Sequence, residues 1–309
     1  MLKMICTCCV STRIIGRPLG LNGYHCCLGC GLIFAGMNNR DEIRESVVSH
    51  YERVDPHEKV AGSKEKFFNS ALVYLSSQIK KKKRSILDVG CGYGYFLQIA
   101  SRMGWETSGV EVVATAVREA NKKVIRQNII HGTLKDAGYP HSSFDVITLW
   151  DVLFHVESPF EELRECYRVL QEGGIIGIRV RNVFFEKLAY RIFHSLKRIN
   201  LQLGMKNPSV FHRYCFSSKS IYKLLARVGF SNIKVTNSPV TEGDPYDYTN
   251  IKGLVKGAKS MVTVFSKFVF WISSGRWLIG PSLLVWAEKP MSILKNEPGK
   301  VPCLKFFTS

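Results

Sequence analysis

The chain has 309 residues, of which 46% are hydrophobic and 22% charged, so a disordered chain is excluded. This length allows one large domain with an appendage, or two small domains. Its formal net charge of +18 favours anionic partners, namely nucleic acid, anionic lipid or phosphorylated substrates, without choosing among them. The sequence contains no uninterrupted apolar run of about 18 residues, so we predict no transmembrane helix.

Residues 1–40 form a cysteine-rich segment that holds six of the ten cysteines. The pairs Cys6-x-x-Cys9 and Cys27-x-x-Cys30 are separated by 17 residues. Four thiolates at this spacing predict a closed, structural Zn²⁺ site with tetrahedral geometry. The competing ligands are Cys8, His25 and Cys26. The alternative is a segment with incidental cysteines and no metal.

Residues 41–84 are predicted to form a helical linker, because apolar side chains recur at helix spacing. These side chains are Phe67, Phe68, Ala71, Leu72 and Leu75. The basic run at 80–84 is typical of a solvated helix end.

From residue 85 to residue 290 strands alternate with helices, which predicts βαβ units and a mostly parallel sheet. Strands are predicted at 86–89, 106–110, 124–130, 145–150, 175–180, 233–236 and 283–287. Helices are predicted at 95–103, 113–121, 160–170 and 217–228. We expect Gly173 and Gly174 to end the third of these helices and Gly229 to end the fourth.

A glycine-rich turn follows the first of these strands, with the sequence Asp88-Val89-Gly90-Cys91-Gly92-Tyr93-Gly94. Glycine permits positive φ angles and close approach to the backbone, and the helix after the turn presents free N–H groups. Glu111 lies at the end of the next strand, 21 residues after Gly90, where such an acid accepts hydrogen bonds from ribose hydroxyls. The alternative is a chance glycine-rich turn with a surface glutamate.

The spacing of the glycines distinguishes between nucleotides. A dinucleotide fingerprint that began at Gly90 would need glycine at the position of Tyr95, whereas the chain has Gly94. The sequence also lacks a Gly-x-x-x-x-Gly-Lys-[Ser/Thr] phosphate loop, which argues against an NTPase.

Several motifs together resemble the class I S-adenosylmethionine-dependent methyltransferases, in particular the group with ubiquinone-type O-methyltransferases and bacterial glycan-cluster methyltransferases. The resemblance covers residues 85 to about 237 and again 283–290. Its motifs are the glycine turn, Gly109-Val110-Glu111, Asp151-Val152-Leu153-Phe154-His155-Val156, Arg168-Val169-Leu170-Gln171-Glu172-Gly173-Gly174, and the later His212, Ser217, Gly229 and Phe230. Cys30-Gly31-Leu32-Ile33-Phe34 is similar to the end of a zinc-ribbon-like segment in some of these enzymes.

The resemblance implies an α/β, Rossmann-like sheet of seven strands with the last strand antiparallel. It also implies S-adenosylmethionine as cofactor and assigns roles by position. The implied cofactor-binding residues are Asp88, Gly90, Cys91, Gly92, Gly94, Glu111, Val112, Leu134, Trp150 and Asp151. One departure is that Lys135 and then Asp136 follow Leu134, where relatives carry an acid for the adenine amino group. Either Asp136 or backbone groups would serve.

His155 follows the fourth strand at the mouth of the implied cofactor site. A neutral imidazole there is a candidate catalytic base for a substrate hydroxyl. The alternative is a histidine that closes a loop by hydrogen bonding. His212 and Tyr214 are weaker candidates on the substrate side, and Arg179 and Arg181 are candidates to face an anionic substrate.

The stretch 251–279 is expected to be a basic, amphipathic insertion in the domain, followed by a tail at 291–309. It carries five basic residues and no acid between 252 and 279. Basic amphipathic helices with aromatic side chains lie on anionic membranes. The alternative is a helix that packs over the sheet edge or the substrate site with its lysines outside.

The expected function is methyl transfer to a small-molecule, glycan or lipid-linked acceptor, with O-methylation favoured. RNA or DNA methylation is a competing function suggested by the charge, but the chain has no Asn/Asp-Pro-Pro-Tyr/Phe signature of base amino-methylation. A non-catalytic cofactor-binding module is the third possibility. Because the first ten residues lack the apolar stretch of a signal peptide, we expect a cytoplasmic protein, with peripheral contact to an anionic membrane as an addition.

Overall fold

A computed structural model describes residues 4–36, 61–123, 128–195, 212–239, 241 and 252–291. Side chains are described throughout these ranges except at 61–63, 252–260 and 263. Residues 37–60, the beginning of the strand predicted at 124–130, and the tail beyond 291 lie outside the described residues.

The described chain contains eleven strands and seven α-helices. The strands are β1 (Ile14–Gly16), β2 (Tyr24–Cys27), β3 (Ile33–Ala35), β4 (Arg84–Val89), β5 (Trp105–Glu111), β6 (Ile129–His131), β7 (Phe144–Trp150), β8 (Leu170–Arg181), β9 (Tyr214–Cys215), β10 (Ser231–Asn237) and β11 (Ser282–Glu288). The helices are α1 (Ala61–Gln78), α2 (Tyr95–Arg102), α3 (Ala114–Lys123), α4 (Pro159–Val169), α5 (Val183–Ser195), α6 (Ser218–Val228) and α7 (Lys252–Ile272).

Seven strands form the main sheet in the order β10-β11-β8-β7-β4-β5-β6. Neighbouring strands are parallel except at β11, which pairs antiparallel with both β8 and β10. All seven residues of the central strand β7 are buried, as expected for a strand covered by helices on both faces. The predicted Rossmann-like sheet with an antiparallel last strand is confirmed.

Two helices, α4 and α6, begin at a serine that caps the helix through its side chain. Ser158 accepts the Glu161 N–H through its side chain at the start of α4, and α6 ends at Gly229, which has a φ of 116°. The expectation for Gly173 and Gly174 was wrong. The helix α4 already ends at Val169, and β8 continues through both glycines.

The cysteine-rich segment forms a second sheet, in the order β1-β2-β3-β9. Its fourth strand comes from the C-terminal half of the chain, with Phe34 opposite Tyr214. The hydroxyl of Ser217 donates to the Cys30 carbonyl at 2.6 Å, and Arg227 donates to the Thr7 carbonyl at 2.6 Å. The cysteine-rich segment is therefore joined to the main domain by the pairing of β3 with β9 and by the side-chain hydrogen bonds of Ser217 and Arg227.

Helix α1, which lies in the predicted linker, packs against the main sheet. All five apolar side chains predicted to define its inner face are buried. Phe67 packs edge-to-face on Trp150 at 5.1 Å between ring centroids, and Phe68 does the same on Phe96 at 5.3 Å. This part of the linker therefore contributes to the hydrophobic core that supports the strand ends. Among the described helices, none has the length and apolar character that a membrane crossing requires.

Candidate functional site

The glycine turn lies at the carboxyl end of β4. Gly90, Gly92 and Gly94 have φ angles of 69°, 52° and 73°, a region in which glycine is favoured. A Cβ atom on Gly90 would lie 2.4 Å from a methyl carbon of Val152. Position 90 therefore requires glycine because the side chain of Val152 occupies the space that a Cβ atom would need. Gly94 caps α2 without a side-chain hydrogen bond, which leaves that end of the helix open to a ligand.

Glu111 ends β5 beside this turn and is buried, with 4% of its surface exposed. One carboxylate oxygen accepts the Gly92 N–H at 2.9 Å, and the other accepts the Val113 N–H at 2.9 Å. Parallel strands bring the ends of β4 and β5 to the same edge of the sheet, and this is why the acid faces the turn. The carboxylate retains lone pairs for further donors.

Asp88 lies in β4, below the turn, and is buried. The hydroxyl of Thr148 donates to its carboxyl group at 2.6 Å. Burial raises the pKa of Asp88 to about 8, and the charge of Glu111 adds to the rise, although Thr148 and Lys64 oppose it. Near neutral pH this side chain is therefore a largely protonated acid that supports the turn from beneath.

The implied adenine side of the site is formed by the ends of β5 and β6. Val112 is exposed, whereas Leu134 is fully buried in the core. Asp136 accepts hydrogen bonds from both the N–H and the hydroxyl of Thr133, at 3.0 and 2.7 Å. Its carboxylate therefore caps the turn at residues 133–136.

Trp150 and Cys91 are buried members of one hydrophobic cluster. The indole of Trp150 contacts Phe96 at 5.5 Å and Trp286 at 6.0 Å, in addition to Phe67. Cys91 fills the space above Gly109, where a Cβ atom would lie 2.8 Å from its sulfur. Both side chains form the floor of the turn.

Asp151 follows β7 in a left-handed conformation, with φ 63°. It accepts hydrogen bonds from Lys64 of α1 at 2.7 Å and from Arg179 of β8 at 2.5 Å. Burial acts to raise the pKa of Asp151, but these two cations outweigh it and hold the pKa well below its ordinary value. Arg179 is fully buried and also donates to the hydroxyl of Ser238. The charged carboxylate thus connects α1, β7, β8 and the end of β10.

The expectation that Arg179 and Arg181 face an anionic substrate was wrong. Both side chains are buried, and each is paired with a carboxylate of the protein itself. Arg181 donates to Glu186 at 2.6 Å, just as Arg179 donates to Asp151. Because each guanidinium group is already paired with a carboxylate, the two arginines stabilise the interior of the domain.

His155 and His212 lie against each other, with ring centroids 4.8 Å apart and the rings nearly perpendicular. Phe154 contacts both rings, at 4.4 and 4.6 Å. Burial lowers the pKa of His212 well below its ordinary value, and the charges of His155 and Arg181 lower it further. His212 is therefore neutral near pH 7. Tyr214 is buried, and its hydroxyl donates to the Glu157 carbonyl at 2.8 Å, so it holds the loop in place.

The four predicted thiols come together at one point. The sulfur atoms of Cys6, Cys9, Cys27 and Cys30 all lie within 4.8 Å of one another. Two of the separations, Cys6 to Cys30 and Cys9 to Cys27, are 3.6 Å. Zn–S bonds of about 2.3 Å place tetrahedral thiolates about 3.8 Å apart, so the arrangement has the dimensions of a zinc site.

Among the competing ligands, Cys26 and His25 have other neighbours, whereas Cys8 lies beside the four-thiol cluster. Cys26 points away from it, because neighbouring residues of β2 face opposite sides of the sheet, and it packs with Ile33, Val183 and Cys215. His25 packs on Phe34 at 5.6 Å. Cys8 is buried in the same core cluster as Cys6 and Cys30, and its pKa is raised chiefly by hydrogen bonds with those two thiols.

Lys64 is the site residue that sequence analysis missed. It lies in the predicted linker and is separated from Asp151 by 87 positions in the chain. One lysine among 43 basic residues carries no local signal. Only the packing of α1 against the sheet brings it to the end of β7.

The seven-stranded sheet, the glycine turn and the facing carboxylate define the class of S-adenosylmethionine-dependent methyltransferases. A family model described as a methyltransferase domain matches residues 57–235. This is more than half of the chain, and the chain belongs to that family.

Similar proteins include methyltransferases from several bacteria. A Mycolicibacterium smegmatis protein described as a probable S-adenosylmethionine-dependent methyltransferase is 26% identical over 148 residues, covering 48% of this chain and 52% of the relative. The ubiquinone biosynthesis O-methyltransferase of Coxiella burnetii is 28% identical over 138 residues, covering 42% of this chain and 57% of the relative. The chain thus spans little more than half the length of either relative.

Among solved structures, a SAM-dependent methyltransferase from Archaeoglobus fulgidus is similar, with a TM-score of 0.49 and 19% identity. The alignment covers 74% of this chain and 95% of that chain.

Proposed function

We propose that this protein transfers the methyl group of S-adenosylmethionine to an oxygen atom of a small-molecule, glycan or lipid-linked acceptor. The observation that carries the proposal is the buried Glu111 carboxylate, which faces the glycine turn at the carboxyl edge of the sheet. Open α/β sheets bind their ligands at this edge.

The residues of the turn fit the donor. Glu111 would accept hydrogen bonds from the ribose hydroxyls. The turn from Gly90 to Gly94 would lie along the methionyl and ribose part of the donor, and the exposed Val112 would flank the adenine. Trp150, Cys91 and Leu134 would support the site from the core, with Asp88 protonated below the turn. S-adenosylmethionine supplies an electrophilic methyl group on a sulfonium.

The acceptor would enter beside Asp151 and His155, where β7 ends. His155 would accept the proton of the acceptor hydroxyl while the oxygen forms its bond to the methyl carbon. The bond between that carbon and the sulfonium sulfur would break, with neutral S-adenosylhomocysteine as the leaving group. The neutral His212, in ring contact with His155, would add no second positive charge. Alignment of donor and acceptor supplies most of the rate in such a reaction, so the contribution of the base is modest.

The four thiols of the N-terminal segment would hold a structural Zn²⁺. Cys6, Cys9, Cys27 and Cys30 supply a complete tetrahedral set, which leaves no open position for a reacting molecule. Two of the thiols, Cys27 and Cys30, lie at the turn between β2 and β3, and β3 pairs with β9, the strand that follows His212. The metal would therefore stabilise the strand pairing next to His212.

Transfer from methyl-labelled S-adenosylmethionine tests the proposal. The full chain is incubated in parallel with a polar small-molecule extract, a lipid extract and RNA. We expect label in the first or second fraction, as an O-methyl group identified by mass spectrometry. Label in RNA alone would overturn the proposed acceptor class, and binding of S-adenosylhomocysteine without any transfer would identify a non-catalytic module.

The role of the base is tested by His155→Ala, with His141→Ala as the matched control because His141 is an exposed histidine on a different loop. We expect the first variant to lose about tenfold to a hundredfold in kcat at neutral pH and to require higher pH, where the acceptor ionises unaided. Unchanged kcat and pH dependence would leave His155 with the loop-closing role alone.

A further inference from the structure

Helix α7 exposes a continuous stripe of large apolar side chains. At 3.6 residues per turn, its members occupy an arc of about 120° around the helix. Their exposed fractions are 70% for Met261, 67% for Val264, 60% for Phe265, 54% for Phe268, 77% for Trp271 and 53% for Ile272. Single exposed apolar side chains are ordinary, whereas a contiguous patch of this kind marks an interaction surface.

The opposite side of the same helix is already occupied. Ser266 and Val269 are buried, and the Ser266 carbonyl accepts a hydrogen bond from Asn237 of β10. The helix therefore packs on the sheet through a narrow face that carries a serine. The aromatic residues of the stripe, Phe265, Phe268 and Trp271, are directed away from the domain, whereas Phe270 is half-buried. The helix thus lies beside the edge strand β10 with Lys267 outside, as the alternative expected, but large apolar side chains are outside as well.

A second stripe of exposed apolar side chains lies on α5, and it begins close to the residues that follow α7. Phe184, Leu188 and Ile192 of α5 follow one another at every fourth position and are 53%, 45% and 51% exposed. The side chain of Asn182, just before α5, donates to the carbonyls of Leu278 and Gly280, which follow α7. The chain that leads into α5 is thus held to the chain that leaves α7.

The charge around the stripes is positive. Between residues 252 and 279 the sequence has five basic residues and no acid. Lys267 and Arg276 are exposed along and after α7, and Arg191 is exposed on α5. Aromatic and aliphatic side chains bordered by basic ones are the composition of helices that lie in the interface of an anionic bilayer.

We infer that α7, together with the exposed stripe of α5, is a docking surface for an anionic lipid bilayer, which the protein binds peripherally. A second copy of this chain is a poorer occupant, because pairing two such faces would bring like charges together in a protein of net charge +18. The inference goes beyond methyl transfer, and it does not depend on the identity of the acceptor.

Vesicle flotation with the full chain tests the inference. Vesicles of phosphatidylcholine alone are compared with vesicles that also contain phosphatidylglycerol. We expect the protein to float with the anionic vesicles only, and we expect the bound fraction to fall as salt is raised. Absence of the protein from the anionic vesicle fraction would overturn the inference.

Variants locate the surface. Phe268→Ser combined with Trp271→Ser should weaken vesicle binding at least tenfold, whereas Tyr222→Ser, which removes an exposed aromatic ring of α6, should leave it unchanged. Lys267→Glu should weaken binding more than Lys223→Glu does. Equal binding by the double variant and the Tyr222 control would contradict the assignment.

Two further measurements keep the test decisive. Affinity for S-adenosylhomocysteine should be the same in all variants, because the altered side chains are exposed and distant in the fold from the glycine turn. Analytical ultracentrifugation should find a monomer. A wild-type dimer that dissociates in the double variant, without vesicle binding, would show that a second copy covers the face and would overturn the inference.

Discussion

The Glu111 carboxylate accepts a hydrogen bond from the backbone N–H of Gly92 at 2.9 Å. This contact joins the ends of two neighbouring parallel strands. The other oxygen of the Glu111 carboxylate accepts a hydrogen bond from the N–H of Val113. The acid therefore orders the turn and also presents its remaining lone pairs to a ligand. Both roles depend on carboxyl oxygens at a position that is 4% exposed.

Glu111→Gln should weaken binding of S-adenosylhomocysteine about tenfold to a hundredfold, because hydrogen bonds to a charged group contribute about 1.5–3 kcal/mol each. Glu106→Gln, at an exposed position of the same strand, is the matched control and should bind as the wild type does. Isothermal titration calorimetry measures both. Equal affinities for the two variants would remove Glu111 from the site.

Gly90→Ala should destabilise the fold by about 2–4 kcal/mol, since overpacking adds to the cost of a positive φ. The new Cβ atom would lie 2.4 Å from Val152. The control is Gly104→Ala, where φ is +81° but no atom lies within 4 Å, so only the backbone cost remains. Adding Val152→Ala should rescue part of the first variant and none of the second, as measured by denaturant unfolding. No rescue would mean that the steric account is incorrect.

Cys27→Ser should abolish stoichiometric zinc and lower the thermal stability, because three thiolates hold the metal less tightly than four. Cys26→Ser changes the neighbouring residue on the opposite face of β2 and should retain about one zinc per chain. Elemental analysis of both proteins, purified in parallel, gives the answer. A wild-type protein without zinc, stable in the presence of a chelator, would refute the metal site.

The pKa of Asp88 gives a stability difference that depends on pH. Burial raises this pKa to about 8, from an ordinary value of 3.8. Between these two values the folded protein keeps a proton that the unfolded chain releases, so the carboxyl group's contribution to stability falls as pH rises through this window. Asp88→Asn imitates the protonated acid, and its stability advantage over the wild type should grow with pH up to about 8 and then level off.

Asp145→Asn is the control of opposite sign. Burial opposes the ionised form of Asp145, but Lys81 and Ser85 outweigh it and lower the pKa. Its stabilisation is complete above the ordinary carboxyl pKa and is lost only in acid. The stability difference between this variant and the wild type should therefore be constant from weakly acidic to neutral pH. Urea unfolding across this range distinguishes the two patterns, and a constant difference for Asp88→Asn would contradict the raised pKa.

The parts of the fold that rest on local patterns could be predicted from the sequence. The glycine turn, Glu111 and the two cysteine pairs could be recognised because their residues lie at short, characteristic intervals in the sequence. Parallel strands then fix which residues share an edge of the sheet. The antiparallel last strand followed from the family resemblance.

Other features depend on contacts between distant parts of the chain. Strand β9 has only two residues and shows no periodicity, yet it completes the N-terminal sheet. The contact of Lys64 with Asp151 requires the docking of a whole helix. In α7 the amphipathic period was visible in the sequence, but the face that turns inward depends on packing against the domain, where Ser266 and Val269 are buried and the Ser266 carbonyl accepts a hydrogen bond from Asn237.

Calorimetry of the unmodified chain with S-adenosylhomocysteine tests the central claim most directly, with NAD as the comparison ligand. We expect one molecule of S-adenosylhomocysteine to bind per chain with a dissociation constant of micromolar order, about −8 kcal/mol, and NAD not to bind. Binding of NAD without binding of S-adenosylhomocysteine would contradict the donor site described for Gly90 to Gly94 and Glu111.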